Sequence, residues 1–187
     1  YHTGFQVIET PDLKIGRKNA DFGQGFYLSD DREFSRRWAR ERKGQTTYVN
    51  AYELETEGLR IKGLDRDGEW FSCIYANRTN QGDPLPDYDV IVGPIANDTI
   101  YDTWGILTSG MLAQEQVLRL LMLGPRYVQT VIKTEKAAAA LRFLGAEELS
   151  KAEIAANRET VRAEEARYQE QFVRLLSEIT GIDVTEE

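Results

Sequence analysis

Few side chains in this chain have types and spacings suited to chemistry, and most of those lie near its start. His2, Tyr27, Ser35 and Trp38 flank a Gly23-Gln24-Gly25 turn signal, and Gln129 stands far downstream. An imidazole, a hydroxyl and two aromatic faces are groups that bind and orient a ligand. They do not form a metal centre: with one histidine and one cysteine, no His/Cys zinc site can be built, and no metal is expected. Singly, each residue has a plainer account. A G-x-G pair is most often a flexible turn. Tyr27 and Trp38 suit a core, His2 an ordinary surface position, and Gln129 carries almost no signal. The information lies in their joint order and offsets.

Elements must position these residues. The chain has 187 residues, 41% of them hydrophobic, enough for one domain with a core and an appendage. Asp30 or Asp31 can cap a helix running to about Lys43 that buries Phe34 and Trp38. Thr46 to Leu54 alternates like a strand, and Leu59 to Leu64 is expected to pair with it. Further helices are expected at about Asp67 to Arg78, Asp98 to Thr108, Ala113 to Leu123 and Glu135 to Leu141. Further strands are expected at Tyr88 to Val92, ended by Gly93-Pro94, at Gln129 to Lys133 and around Arg142 to Gly145. From Ser150 the pattern changes. Ser150 and Glu153 form a capping box, and Ile154, Val161, Tyr168 and Leu175 recur every seven residues, flanked by Phe172 and Ile179. One apolar stripe on a charged helix either packs on its own domain or meets a partner protein or a second copy. The expected organisation is therefore a domain over 1–149 and an amphipathic helical extension over 150–187.

Charge and composition exclude some classes. The 31 acidic residues against 23 basic ones give a net charge of −8, which argues against a protein held mainly by phosphate backbones. Arg36, Arg37, Arg40, Arg42 and Lys43 read as a solvated helix face. Cys73 cannot form an intramolecular disulfide and reads as a small buried hydrophobe. No run reaches the roughly 20 apolar residues of a membrane span, and a cytoplasmic protein is expected.

Taken together, the motifs resemble the diphtheria-toxin and poly(ADP-ribose)-polymerase branch of the ADP-ribosyltransferases. That branch carries His-Gly-Ser on a first strand and Phe-Gly-Lys-Gly-Ile-Tyr-Phe-Ala-Asp on a second. This chain has His2-Thr3-Gly4 and Phe22-Gly23-Gln24-Gly25-Phe26-Tyr27-Leu28-Ser29-Asp30, then Ser35 and Trp38 eight and eleven positions after the tyrosine, where the branch has a serine and an aromatic. From Tyr1 to about Leu149 the chain more closely resembles a bacterial family known mainly as a domain of unknown function, through Gly16-Arg17-Lys18-Asn19-Ala20-Asp21, Trp38-Ala39, Val49-Asn50-Ala51-Tyr52 and Asp87-Tyr88-Asp89-Val90-Ile91-Val92-Gly93-Pro94.

The resemblance implies an α+β fold: an ADP-ribosyltransferase-like split, mostly antiparallel sheet with surrounding helices and a long C-terminal helix, binding NAD+ in the cleft. It implies that Tyr27 and Trp38 sandwich the nicotinamide, which suits the cationic ring. Main-chain groups of Thr3 and Gly4 beside His2 would hold the carboxamide with the Ser35 hydroxyl, and His2 would bond the adenosine ribose. Phe22 and Gly25 of the same motif would also contact NAD+, and Arg17 is a candidate for a phosphate or ribose contact. The branch's late glutamate is matched by Gln129, giving a His2-Tyr27-Gln129 triad. A glutamine still hydrogen-bonds a ribose 2′-OH but has no charge and cannot act as a base; Glu115 and Glu135 are alternative acids. Thr3 also departs from the branch, which has glycine directly after the histidine. The expected activity is mono-ADP-ribosyl transfer from NAD+ to a macromolecular acceptor, protein or nucleic acid, in a bacterial toxin or regulator. The rivals are a non-catalytic NAD+ or ADP-ribose binding module, an interaction protein working through its C-terminal helix, and a 2′-phosphotransferase acting on RNA.

Overall fold

The computed structural model describes residues 1–96, 112–124 and 126–181. The expected helix from Asp98 to Thr108 lies outside them. The chain divides into two compact units, Tyr1–Ile95 with Tyr127–Arg158, and Ala96–Arg126 with Glu159–Glu187.

The first unit is α+β and carries two sheets. One has the order β1-β3-β7, from strands β1 (His2–Gly4), β3 (Thr47–Leu54) and β7 (Leu141–Leu149), all antiparallel. The other has the order β2-β6-β5-β4, from β2 (Phe26–Leu28), β6 (Val128–Ile132), β5 (Val90–Pro94) and β4 (Ile61–Gly63). β4 lies parallel to β5, with Ile61 opposite Val90, and does not pair with β3 as the sequence suggested. The sequence also undercounts two strands. β5 continues through Gly93-Pro94, and β7 pairs with β3 along its whole length, from Thr47–Leu149 to Leu54–Leu141, with an irregularity after Ala51. The alternation of exposure along β7 is that of a strand with one wet face.

Helix α1 (Arg32–Arg37) is capped by the Asp31 carboxylate, which accepts from Phe34 N. It stops well short of Lys43. Helix α2 (Gly68–Arg78) is capped by Asp67 and buries Trp70 and Ile74, the Trp70 indole donating to Pro94 O at 2.9 Å. Helix α3 (Gln114–Leu121) belongs to the second unit, and helix α4 (Glu135–Ala139) leads into β7. Helix α5 (Lys151–Thr180) opens with the Ser150–Glu153 capping box, Ser150 N and Oγ donating to the Glu153 carboxylate at 2.9 and 2.7 Å. Its stripe residues Tyr168 and Phe172 are buried in the second unit, where α3 contributes buried Val117 and Leu120. No helix among the described residues is long and apolar enough to cross a membrane.

The main core of the first unit joins Phe26, Leu28, Val90 and Ile132 of one sheet with Leu13, Ala137 and Ala138, and Tyr52, Leu54 and Leu141 of the other sheet pack against it. A second cluster, Ala39, Val49, Leu149 and Ile154, seats the start of α5 on the three-stranded sheet. The turn before β2 runs backbone against backbone. A Cβ on Gly25 would stand 2.5 Å from Ile132 O, and one on Gly16 would stand 2.3 Å from Gly25 O. Neither obstacle is a flexible side chain, so the chain itself would have to move. Gly25→Ala is therefore expected to cost about 1–3 kcal/mol, the scale of overpacking, read as a lower urea midpoint at unchanged slope; an unchanged midpoint would contradict this packing.

Candidate functional site

The two sheets meet at the start of β1 and the end of β2. Tyr1 N donates to Ser29 O at 2.6 Å and Ser29 N donates to Tyr1 O at 2.9 Å, a two-bond bridge between strands of different sheets. One residue further, His2 Nδ1 lies 2.8 Å from Tyr27 O. A carbonyl can only accept, so Nδ1 carries the proton and Nε2 of the neutral ring is left as an acceptor. The ring stacks at a tilt on Phe26, 4.5 Å between centroids. Burial holds the His2 pKa below its usual 6.5, which keeps this neutral form at physiological pH. Gly4 shares the His2 face of β1; a methyl group there would stand 3.4 Å from Nε2.

Thr3 adopts ordinary strand backbone opposite Val49, so no glycine-only conformation is needed after the histidine. Its hydroxyl donates to Ser35 O at 2.5 Å and lies 3.0 Å from Ser35 Oγ. The buried Ser35 hydroxyl is thus held beside β1 by Thr3. Trp38, expected to be buried, is about half exposed at 48% and meets the edge of Phe34, 6.0 Å between centroids. Phe34 stacks in turn on Tyr127 at 3.9 Å, and Arg37 lies over the Tyr127 ring and donates to its hydroxyl. The basic cluster is partly neutralised. Arg36 pairs with Glu153 at 2.5 Å and Glu147 at 3.5 Å, and Arg32 pairs with Glu147.

The Tyr27 hydroxyl is turned back onto the preceding turn. It donates to Gly23 O at 2.7 Å and accepts from Phe22 N at 3.0 Å, which fastens the turn to the strand. Burial raises its pKa far above the usual value, so it is no acid or base at neutral pH. Phe22, expected to contact NAD+, is fully buried, and its ring lies over Gly93, 2.8 Å from where a Cβ there would stand. Together with the contact of Gly25 on β6, this makes Phe22 and Gly25 supports of the turn. Arg17 is exposed, within electrostatic reach of Tyr27.

Gln129 lies on β6, opposite Gly93. Tyr27 pairs with Val131 across β2 and β6, and side chains two apart share a face, so Gln129 and Tyr27 are on the same face of the sheet. Gln129 is buried, and its Nε2 donates to Asp21 Oδ2 at 3.0 Å. The Asp21 carboxylate also binds Arg78, whose Nε is 2.9 Å from Oδ1, and Asp21 O accepts from Asn77 Nδ2 at 3.2 Å. Lys133 holds the same turn through Phe22 O and pairs with Asp83 at 2.8 Å. Asn50, fully buried, accepts from Ile8 N at 2.9 Å and donates to Gln6 O at 3.0 Å, fixing the loop after β1.

Sequence reading assigned no role to Asp21, Asn77, Arg78, Lys133 or Tyr127. Asp21 had a signal, its place in the turn motif, but its partners are distant in sequence. Among the described residues no cluster of His, Cys, Asp and Glu could hold a metal ion. Cys73 is buried on α2, its thiol pushed up to about 11 by burial.

A family model described as a protein of unknown function (DUF3990) matches residues 1–143, and the chain belongs to that family. No curated protein and no solved structure matches it.

Two predictions follow from the turn and the histidine. Tyr27→Phe leaves Phe22 N–H and Gly23 C=O without their partner and is expected to cost about 1–3 kcal/mol, measured by urea unfolding; equal stability would mean the hydroxyl does not fasten the turn. For His2 the folded state resists protonation. The stability contributed by its neutral form is complete above pH 6.5 and is lost as pH falls below 6.5 toward the lowered folded value. Wild type should therefore lose more stability across that interval than His2→Gln, and parallel pH profiles of the two would rule this out.

Proposed function

We propose that the first unit is an ADP-ribosyltransferase-like domain that binds NAD+ and transfers ADP-ribose to a macromolecular acceptor, one group at a time. The observation that carries this reading is the hydrogen bond from His2 Nδ1 to Tyr27 O across the junction of the two sheets, with Gln129 on the face that Tyr27 occupies. The sequence resemblance implies these three residues as a triad.

The residues fit a dinucleotide by their chemistry. Neutral His2 offers Nε2 to a ribose hydroxyl, with Gly4 leaving space beside it. The exposed indole of Trp38 and the Tyr27 ring offer faces to a planar cation, and Ser35 offers a hydroxyl to a carboxamide. Arg17 can meet a phosphate. When bound, NAD+ supplies the transferred group: its bond between ribose C1′ and nicotinamide breaks with both electrons leaving on nicotinamide, the acceptor's lone pair bonds C1′, and the acceptor's proton passes to solvent. The chain's own part is to hold the leaving group and the ribose, positioning effects that can supply several kcal/mol of barrier lowering. Gln129 accepts from the 2′-OH and brings no charge, which favours single transfer or slow hydrolysis. Use of NAD+ is the ground for placing the protein in the cytoplasm; a toxin or regulator is the role that analogy gives.

The test uses variants that spare the fold. Gly4 and the half-exposed Trp38 make no hydrogen bond through their side chains that another residue needs. Gly4→Ala and Trp38→Ala should keep the wild-type melting temperature and weaken NAD+ binding about tenfold or more in calorimetric titration, a loss of about 1.4 kcal/mol. Absence of any heat or thermal shift with wild type at several times a millimolar-range Kd would end the NAD+ reading.

A further inference from the structure

We propose that Asp21 is the positioning residue that fixes which end of the Gln129 amide faces the ribose, and that its carboxylate is the reason this site uses glutamine where related triads use glutamate. The inference rests on the NAD+ reading above and deepens it.

The geometry is direct. Gln129 is buried and its Nε2 stands 3.0 Å from Asp21 Oδ2. A carboxylate only accepts, so the amide can meet it through its NH2 end alone. The carbonyl Oε1 is thereby turned away from Asp21, and it is the amide's only acceptor. A ribose hydroxyl that donates to Oε1 keeps electron density on its own oxygen, the side of the sugar where positive charge grows as nicotinamide leaves. With the amide reversed, the site would offer N–H there and draw density away. Asp21 is itself fixed: Oδ1 takes the Arg78 guanidinium, with Nε at 2.9 Å, and its backbone carbonyl takes Asn77. Its side-chain exposure, like that of Arg78, is 10%. The turn from Asp21 to Gly23 therefore sets both members of the triad that lie on this sheet, Gln129 through the Asp21 carboxylate and Tyr27 through Phe22 N and Gly23 O.

The same contact forbids glutamate at 129. Two carboxylates at this separation share a proton or repel. In Asp21→Asn the remaining oxygen stays with Arg78 and the new NH2 faces residue 129. That NH2 reverses a glutamine but suits a glutamate.

The experiment compares wild type, Gln129→Glu, Asp21→Asn and the double variant, all as the full chain. At pH 7 Gln129→Glu should lower the thermal midpoint, and adding Asp21→Asn should restore most of the loss. Effects that simply add would overturn the pairing. With NAD+, Asp21→Asn should bind within about threefold of wild type while releasing nicotinamide roughly tenfold more slowly, and the double variant should regain the rate. An unchanged rate in Asp21→Asn, or a rate and affinity that fall together, would overturn the positioning role while the wild type's binding upheld the NAD+ reading. A wild type that binds no NAD+ would sink that reading, and the positioning role with it, even where the midpoints still showed the two side chains coupled.

Discussion

The first unit depends on one short seam. Two reciprocal backbone bonds join Tyr1 to Ser29, and the His2 imidazole closes onto Tyr27 O beside them. Each sheet is small, and neither could bury its faces alone. The seam sets β1 against β2, which brings Tyr52 and Leu54 of one sheet onto Phe26, Leu28 and Ile132 of the other. The junction carries a partly buried polar side chain, and buried polar atoms need partners. Here the partner is the strand carbonyl itself. One hydrogen bond thus holds the histidine, fixes its tautomer and aligns the two strands.

From that seam the rest of the site follows by short steps. Thr3 carries the register outward to Ser35 at the end of α1, and α1 in turn sets Trp38. Asn50, on the strand facing His2, holds the loop that leaves β1. On the other sheet the turn before β2 is pinned from three directions, by Arg78 and Asn77 of α2, by Lys133 after β6, and by the Tyr27 hydroxyl. Each of these contacts ties the turn to a different part of the unit. Trp38, half-exposed, and Arg17, exposed, are the ones left to meet solvent or a ligand.

Much of this was legible in the residues themselves. Capping signals at Asp30 or Asp31 and at Ser150 marked helix starts because a side-chain oxygen one turn from a free N–H has a local cause. The end of α1 was misread because the run of arginines after it has good helix propensity, yet the helix ends at Arg37 with Trp38 as its C-cap. The parallel partner of β4 was not legible, since which strands neighbour each other depends on contacts far apart in sequence. The same limit hid the link between Asp21 and Gln129, which are 108 positions apart. Trp38 was assigned to the core because tryptophan usually is; its 48% exposure depends on how Phe34 and Tyr127 stack beneath it.

The length of β7 bears on where this fold can be cut. The family match ends at residue 143, yet β7 continues to Leu149 and covers Thr47 to Ala51 of β3. A chain shortened at 143 would keep the candidate site and strip one side of the strand that holds β1. Thr47 to Ala51 would then present bare backbone donors and acceptors at a sheet edge, the template on which other chains add. Such a fragment would fail by self-adhesion at a distance from the site, so that loss of activity in it would say nothing about the site's chemistry.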